Sequence, residues 1–125
     1  MPHPEIIALV PELLAGIRIA EAAKAIGAGI RLVETPAELD SAIRLAAPSL
    51  IIIDLGYGEA PPPGALEAAV RSGAPVIAFG FHTKPALLQA AREAGAQVYT
   101  RGQFLEGLRQ ILGEHAQSAS SPAKG

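Results

Sequence analysis

The sequence has no cysteine and no tryptophan in its 125 residues. The missing thiols exclude a disulfide framework and thiolate chemistry, and a chain without them fits a reducing compartment. A cytoplasmic location is therefore the expectation. Aromatic residues make up only 4% of the chain, too few for base-stacking platforms. No excess of one charge is present: 10 Lys and Arg face 12 Asp and Glu, for a formal net charge of −2. Without a basic stripe, nucleic acid is not an expected partner. Long apolar runs are missing too. The first, Ile6–Val10, is stopped by Pro11 and is too short for a signal peptide or a membrane span, so no membrane association is expected. His3 and His115 lie near the two ends and His82 stands alone between them, which gives no metal-ligand spacing.

What the chain does have is apolar substance. Half of its residues are apolar, enough for one core of ordinary domain size. Short apolar runs, Ile6–Val10, Ile30–Val33, Leu50–Ile53, Val76–Phe79 and Ala96–Thr100, alternate with helical patterns. Thr35-Pro36-Ala37-Glu38 is a helix start: threonine caps, proline presets φ, and the glutamate reaches back. Pro11 can open the first helix, which passes Leu14, Ile17 and Ala25 and stops near Gly27 or Gly29. The third helix begins near Pro63 or Gly64 and stops at Gly73. The fourth spans the segment from Thr83 to Gly95. A last helix starts at Thr100 or Arg101, where Thr100 and Gln103 can form a capping box, and buries Phe104, Leu108, Ile111 and Leu112.

Five βα units predict a three-layer α/β/α fold around a parallel five-stranded sheet. The first, third and fourth runs are continuously apolar, as strands covered on both faces must be, whereas Arg31 and Gln97 interrupt the second and fifth. Mixed strands belong at the edges, and right-handed crossovers then give the flavodoxin-like order 2-1-3-4-5. The expected domain covers residues 1–115. Residues 116–125, rich in Ser, Ala, Pro, Lys and Gly, are expected to form a flexible tail.

In that order a crevice opens at the carboxyl ends of the first and third strands. The polar groups expected on its rim are Glu12, Asp54, His82, Thr83, Thr100 and Arg101. Asp54 stands out. It is one of two aspartates in the chain and follows Leu50-Ile51-Ile52-Ile53, where a carboxylate without a partner would be costly to bury. The plain alternative is a turn aspartate that accepts bonds from local amides. His82 can titrate near neutrality beside Asp54 or simply cap the fourth helix. The proline-rich segment from Gly56 to Gly64 reads as a stiff loop over the crevice. No phosphate-cradling glycine motif is present, and the serines have no histidine to pair with.

At these residues the chain resembles the receiver domain of response regulators. Pro48-Ser49-Leu50-Ile51-Ile52-Ile53-Asp54-Leu55 is similar to the family's "PDLVILDL" strand, Ala74-Pro75-Val76-Ile77 to its "PVI" strand, and Ala91-Arg92-Glu93-Ala94-Gly95-Ala96 to its "A-x-x-A-G-A" signature. The resemblance covers residues 5–113 and makes Asp54 the phosphoacceptor equivalent. It also implies an acidic pair that holds Mg²⁺, a Thr or Ser after the fourth strand and a lysine after the fifth. Here Val10 and Pro11 stand where the pair belongs and leave Glu12 as the one acid, Gly80 replaces the hydroxyl, and Arg101 replaces the lysine, or Gly102 does in a gapless register. Phosphoryl transfer needs charge neutralised on the phosphoryl oxygens. The resemblance therefore implies a non-enzymatic pseudo-receiver, with an Asp54–Arg101 pair closing the site, that acts in signal transduction through a protein partner. Leu87, Leu88, Tyr99, Phe104 and Leu105 place a possible homodimer contact on the face of helix 4, strand 5 and helix 5. The alternatives are a genuine phosphorelay receiver with weak Mg²⁺ at Asp54, and a small-molecule sensor with an open pocket beside Asp54 and Arg101.

Overall fold

The computed structural model describes residues 5–56 and 64–120. It contains β1 (Glu5–Leu9), α1 (Leu13–Ala25), β2 (Gly29–Val33), α2 (Pro36–Ala46), β3 (Leu50–Asp54), α3 (Ala65–Arg71), β4 (Val76–Gly80), α4 (Pro85–Ala94), β5 (Gln97–Thr100), α5 (Arg101–Glu106) and α6 (Leu108–Ser120). The strands form one parallel sheet in the order β2-β1-β3-β4-β5. This is the expected α/β fold, with the expected strand order.

The division between central and edge strands follows from residue type. Every residue of β3 and β4 is buried, whereas β2 exposes Arg31 and Leu32 and β5 exposes Gln97. Successive side chains point to opposite faces, so the sheet feeds two cores. On one side Ile6, Ala8, Leu50, Ile52, Ile77 and Phe79 pack with Ala15 and Ile19 of α1, Phe104 of α5 and Leu112 of α6. On the other, Ile7, Leu9, Ile51, Ile53 and Ala78 pack with Leu39 of α2, Ala65 and Ala69 of α3 and Ala91 of α4. Alanine dominates the helix side of the second contact, which lets α3 and α4 lie close to a sheet of larger branched residues, whereas Phe104, Leu108, Ile111 and Leu112 fill the first.

The helix signals work locally. Thr35 accepts a bond from the Glu38 amide, while the Glu38 carboxylate accepts from the Glu34 amide, one residue before the position a capping box would use. Thr100 and Gln103 complete a full capping box at the start of α5. Gly95 ends α4 with φ of 114°, in the left-handed region open to glycine.

Two expectations change, both at the last helix. The single last helix is two, α5 and α6, separated at Gly107, although Phe104, Leu108, Ile111 and Leu112 are all buried as expected. The helix also runs past residue 115 to Ser120; Ala, Gln and Ser do not break it, and the residue before Pro122 is the first one biased against helix. In α1, Leu14 and Ile17 face outwards, and the buried face is Ala15, Gly16, Ile19, Ala22 and Ala23. The segment between β1 and α1 sets this phase: Glu12 caps the helix and Pro11 lies before it.

Leu13, Leu14 and Ile17 on α1, together with Leu32 of β2 beside Gly16, form an exposed apolar strip. By contrast, Leu87, Leu88, Tyr99 and Leu105 are half-buried and Phe104 is fully buried, so the face of α4, β5 and α5 lacks the exposed cluster that a homodimer contact there was expected to use. Because Leu14 is 68% exposed, Leu14→Glu is expected to change folding stability by no more than about 0.5 kcal/mol. Urea denaturation of the variant checks this.

Candidate functional site

β3 ends in Asp54, and the chain leaves the sheet immediately afterwards. The Leu55 amide still donates to the Phe79 carbonyl at 2.7 Å, which extends the β3–β4 pairing past the aspartate and keeps the carboxylate inside the fold. Asp54 has no exposed surface and is the one fully buried charged residue among the described residues. An ionised group in that position needs partners on both oxygens. One oxygen, Oδ1, accepts from the Gly56 amide at 2.9 Å, and the other, Oδ2, accepts from Nη1 of Arg101 at 3.2 Å. Part of the turn-aspartate reading is thus correct, since the local amide bond is present. Its second partner comes from 47 residues further along the chain.

Arg101 is the first residue of α5, placed there by the end of β5, the outer neighbour of β4. Its side chain reaches back across the carboxyl ends of the strands. Nη1 engages Asp54, while Nη2 donates to the Glu12 carboxylate. Glu12 is held at the start of α1 directly after β1. One guanidinium therefore bridges two carboxylates supplied by the first and third strands, as a planar fork with several donors can and an ammonium point charge cannot do equally well.

Aromatic rings flank the cation. The Arg101 guanidinium carbon lies 5.5 Å from the Phe79 ring centroid and 5.4 Å from that of Phe81. Both distances are within cation–π range. Phe79 is fixed in the core, stacked on Phe104 with centroids 4.7 Å apart. Phe81 follows β4 in the turn that Lys84 closes by donating its amide to the Phe81 carbonyl.

Burial raises the pKa of Asp54 above its ordinary 3.8. The Gly56 amide and the Arg101 charge and hydrogen bond pull it down without cancelling that effect, and the negative charge of Glu12 adds to the rise. Burial thus disfavours the anionic form of Asp54, and Arg101 and the Gly56 amide offset part of that cost.

Of the expected rim residues, the structure brings together Glu12, Asp54 and Arg101. Thr100 serves as the cap of α5. His82 and Thr83 are exposed in the β4–α4 turn and make no side-chain hydrogen bond among the described residues. The expected helix-capping role of His82 does not hold, because Lys84 occupies the cap of α4 and makes no side-chain cap bond. Gly80 stands beside Asp54 at the end of β4. A Cβ there would lie 3.2 Å from Leu88 Cδ2 and 3.3 Å from Leu55 Cβ, so a hydroxyl-bearing side chain would have to push these leucines back by a few tenths of an ångström. The stiff loop expected over the crevice falls on residues 57–63, outside the described residues. An open pocket beside Asp54 is not compatible with its full burial. A cleft of about 620 Å³ lies instead at the amino ends of β3 and β4, lined by Pro48, Ser49, Ser72, Pro75 and His115.

Sequence reasoning missed Phe79, Phe81 and Gly56 as parts of the site. The signal was there in the alternation Phe79-Gly80-Phe81 at the end of a buried strand. It could not say that the two rings would close on an arginine from a different strand.

No protein-family model matches the chain, and no curated protein matches it. Solved structures do. The signal receiver domain of a protein assigned as a Luxo repressor from Vibrio parahaemolyticus superposes with a TM-score of 0.77 at 20% identity, over 94% of this chain and 93% of the other. The N-terminal signal receiver domain of a two-component response regulator from Bacteroides fragilis gives 0.75 at 17% identity, over 98% and 100%. A response regulator from Thermotoga maritima gives 0.73 at 15%, over 93% and 99%. The chain also matches NtrX from Brucella abortus with a TM-score of 0.78 at 15% identity, but spans only 28% of that protein. The chain has the receiver-domain fold.

Proposed function

We propose that this chain is a pseudo-receiver, a receiver-fold signalling module that does not turn over a phosphoryl group and works by binding a protein partner, in the cytoplasm. The observation that carries this reading is the bridge from Arg101 to Glu12 and Asp54. In a receiver, a divalent cation neutralises the acidic cluster and then the phosphoryl oxygens. A hard cation of that size takes about six oxygen ligands and keeps several waters. The donor set here is two carboxylates with a positive side chain already seated between them, and Val10 and Pro11 stand where further acid is needed. Magnesium does not fit this donor set.

Three further features support the reading. Asp54 is buried, so its carboxylate cannot meet a phosphodonor without rearrangement, and Gly80 provides no hydroxyl to bind the transferred group. Among the described residues no helix is long and apolar enough to cross a membrane. The exposed strip of Leu13, Leu14, Ile17 and Leu32 lies beside the carboxyl rim, where apolar surface suits protein contact better than catalysis.

Incubation with acetyl phosphate or beryllofluoride and Mg²⁺ tests the proposal, with intact mass and amide NMR as readouts. The mass is expected to stay unchanged, and no shift confined to Asp54, Leu55 and Gly56 is expected. Stoichiometric, Mg²⁺-dependent modification of Asp54 would restore the phosphorelay reading in its place.

A further inference from the structure

Phe81 lies against the guanidinium of Arg101 and is partly open to solvent. The residue is 41% exposed, while Asp54 has no exposed surface. The ring lies directly on the backbone of Gly56. A Cβ at Gly56 would come within 2.7 Å of Phe81 Cδ2 and 2.8 Å of Cε2, and within 3.6 Å of Asp54 Oδ1. That close approach is open only to a residue without a side chain. The Gly56 amide under the ring is the one that donates to Asp54 Oδ1. The ring also lies 5.4 Å from the guanidinium carbon of Arg101, which is 5.5 Å from the core ring of Phe79. The two aromatic contacts of Arg101 are unequal. Phe79 is fixed by stacking and full burial, whereas Phe81 is exposed and sits in a turn.

We propose that Phe81 is the lid of the Asp54 pocket: rotation of this one side chain, with the ion triad intact, opens the carboxylate to solvent, and the Gly56 backbone is its seat. The proposal deepens the reading of a sealed receiver-like pocket by naming what regulates access to it. It rests on that reading for the pocket's role only. Opening separates the ring from Gly56 and from Arg101 and leaves the Arg101 bonds to Glu12 and Asp54 in place. Closing excludes water from a carboxylate whose anionic form is already disfavoured by burial. The seat and the lid are separate residues, so each can be altered alone. Gly56 does not have a positive φ, so Gly56→Ala brings no backbone strain of its own and acts by pushing the ring off. Phe81→Ala removes the ring, and Phe81→Leu keeps an apolar cover of reduced size.

Hydrogen exchange of the Gly56 amide, read by NMR on the full chain, tests this without any phosphodonor. In both Phe81→Ala and Gly56→Ala the amide is expected to exchange at least tenfold faster than in wild type, with Ile52 in the middle of β3 unchanged and Phe81→Leu in between. The Asp54 carboxyl, followed by its ¹³C shift, should titrate closer to its ordinary value in both open variants. Unchanged exchange at the residue-56 amide in both variants overturns the lid. So does an acceleration shared equally by Ile52, which would mean that water enters by unfolding. A live phosphoacceptor would show itself in the mass test and leave these exchange rates as they are.

Discussion

Arg101→Ala is expected to cost about 3–5 kcal/mol of folding stability at neutral pH, the usual range for stripping one partner from a buried ion pair. Two acids, Glu12 and Asp54, would be left facing each other with the shared cation gone. Asp54→Asn is expected to behave very differently. The amide oxygen still accepts from the Gly56 N–H and the desolvated charge disappears, but the amide NH2 then faces a guanidinium N–H, so Arg101 keeps only Glu12. The sign follows from the titration of Asp54, whose pKa is raised in the folded protein above the ordinary 3.8. Between those two values the folded state holds more protons than the unfolded one, so the contribution of this group to stability falls as pH rises through the window. At neutral pH the asparagine variant should thus lose less than Arg101→Ala, and below about pH 3.8 the Asp54 charge no longer distinguishes it from wild type as both states of Asp54 become neutral. The double variant Arg101→Ala with Asp54→Asn should recover most of the loss. Urea denaturation at neutral and acidic pH measures all of these, and the arginine penalty should shrink on acidification. Equal, additive losses from the two single variants would mean that the bridge is not the coupled unit described here.

Phe104→Ala is the other large effect. Phe104 is fully buried in the layer formed by β1, β3, β4, α1 and α6, stacked on Phe79 and tilted against Tyr99 with centroids 6.0 Å apart. Loss of a buried phenylalanine ring costs about 3–5 kcal/mol through transfer and cavity terms. The substitution also has a local effect, because Phe79 is the inner support of the Arg101 guanidinium. Removing the ring behind it gives Phe79 room to move. Denaturation should show the loss in stability, and the side-chain resonances of Arg101 should broaden or shift. Ile111→Val, a smaller cut in the same core, should cost only about 0.5–1.5 kcal/mol and leave those resonances in place.

Much of this structure can be read in the residues. The strand order followed from Arg31 and Gln97, because charge or amide in a strand is tolerable only where one side meets water. Thr35 and Thr100 marked two helix starts that the structure has. Asp54 and Arg101 could be paired because a lone carboxylate after four branched apolar residues needs a cation, and the topology delivers one. Other features depended on phase and tertiary fit. The outward turn of Leu14 and Ile17 is decided by where α1 begins, and a shift of one residue rotates a helix by about 100°. The split at Gly107 interrupts a pattern that stays apolar on the inner side throughout, so spacing alone gives no sign of it. The place of Phe81 depends on how closely its ring can approach the backbone at Gly56, a distance that no linear pattern encodes.

The leucines around Gly80 also limit what could be built at this corner of the molecule. A threonine introduced at that position would drive new atoms towards Leu55 and Leu88, where the first carbon alone would stand within 3.3 Å of a neighbour. Acids introduced before Glu12 would add negative charge around an arginine that already has its two counterions. Engineering a metal-binding acceptor on this scaffold therefore calls for several replacements in one design, with the leucines trimmed and the arginine removed together.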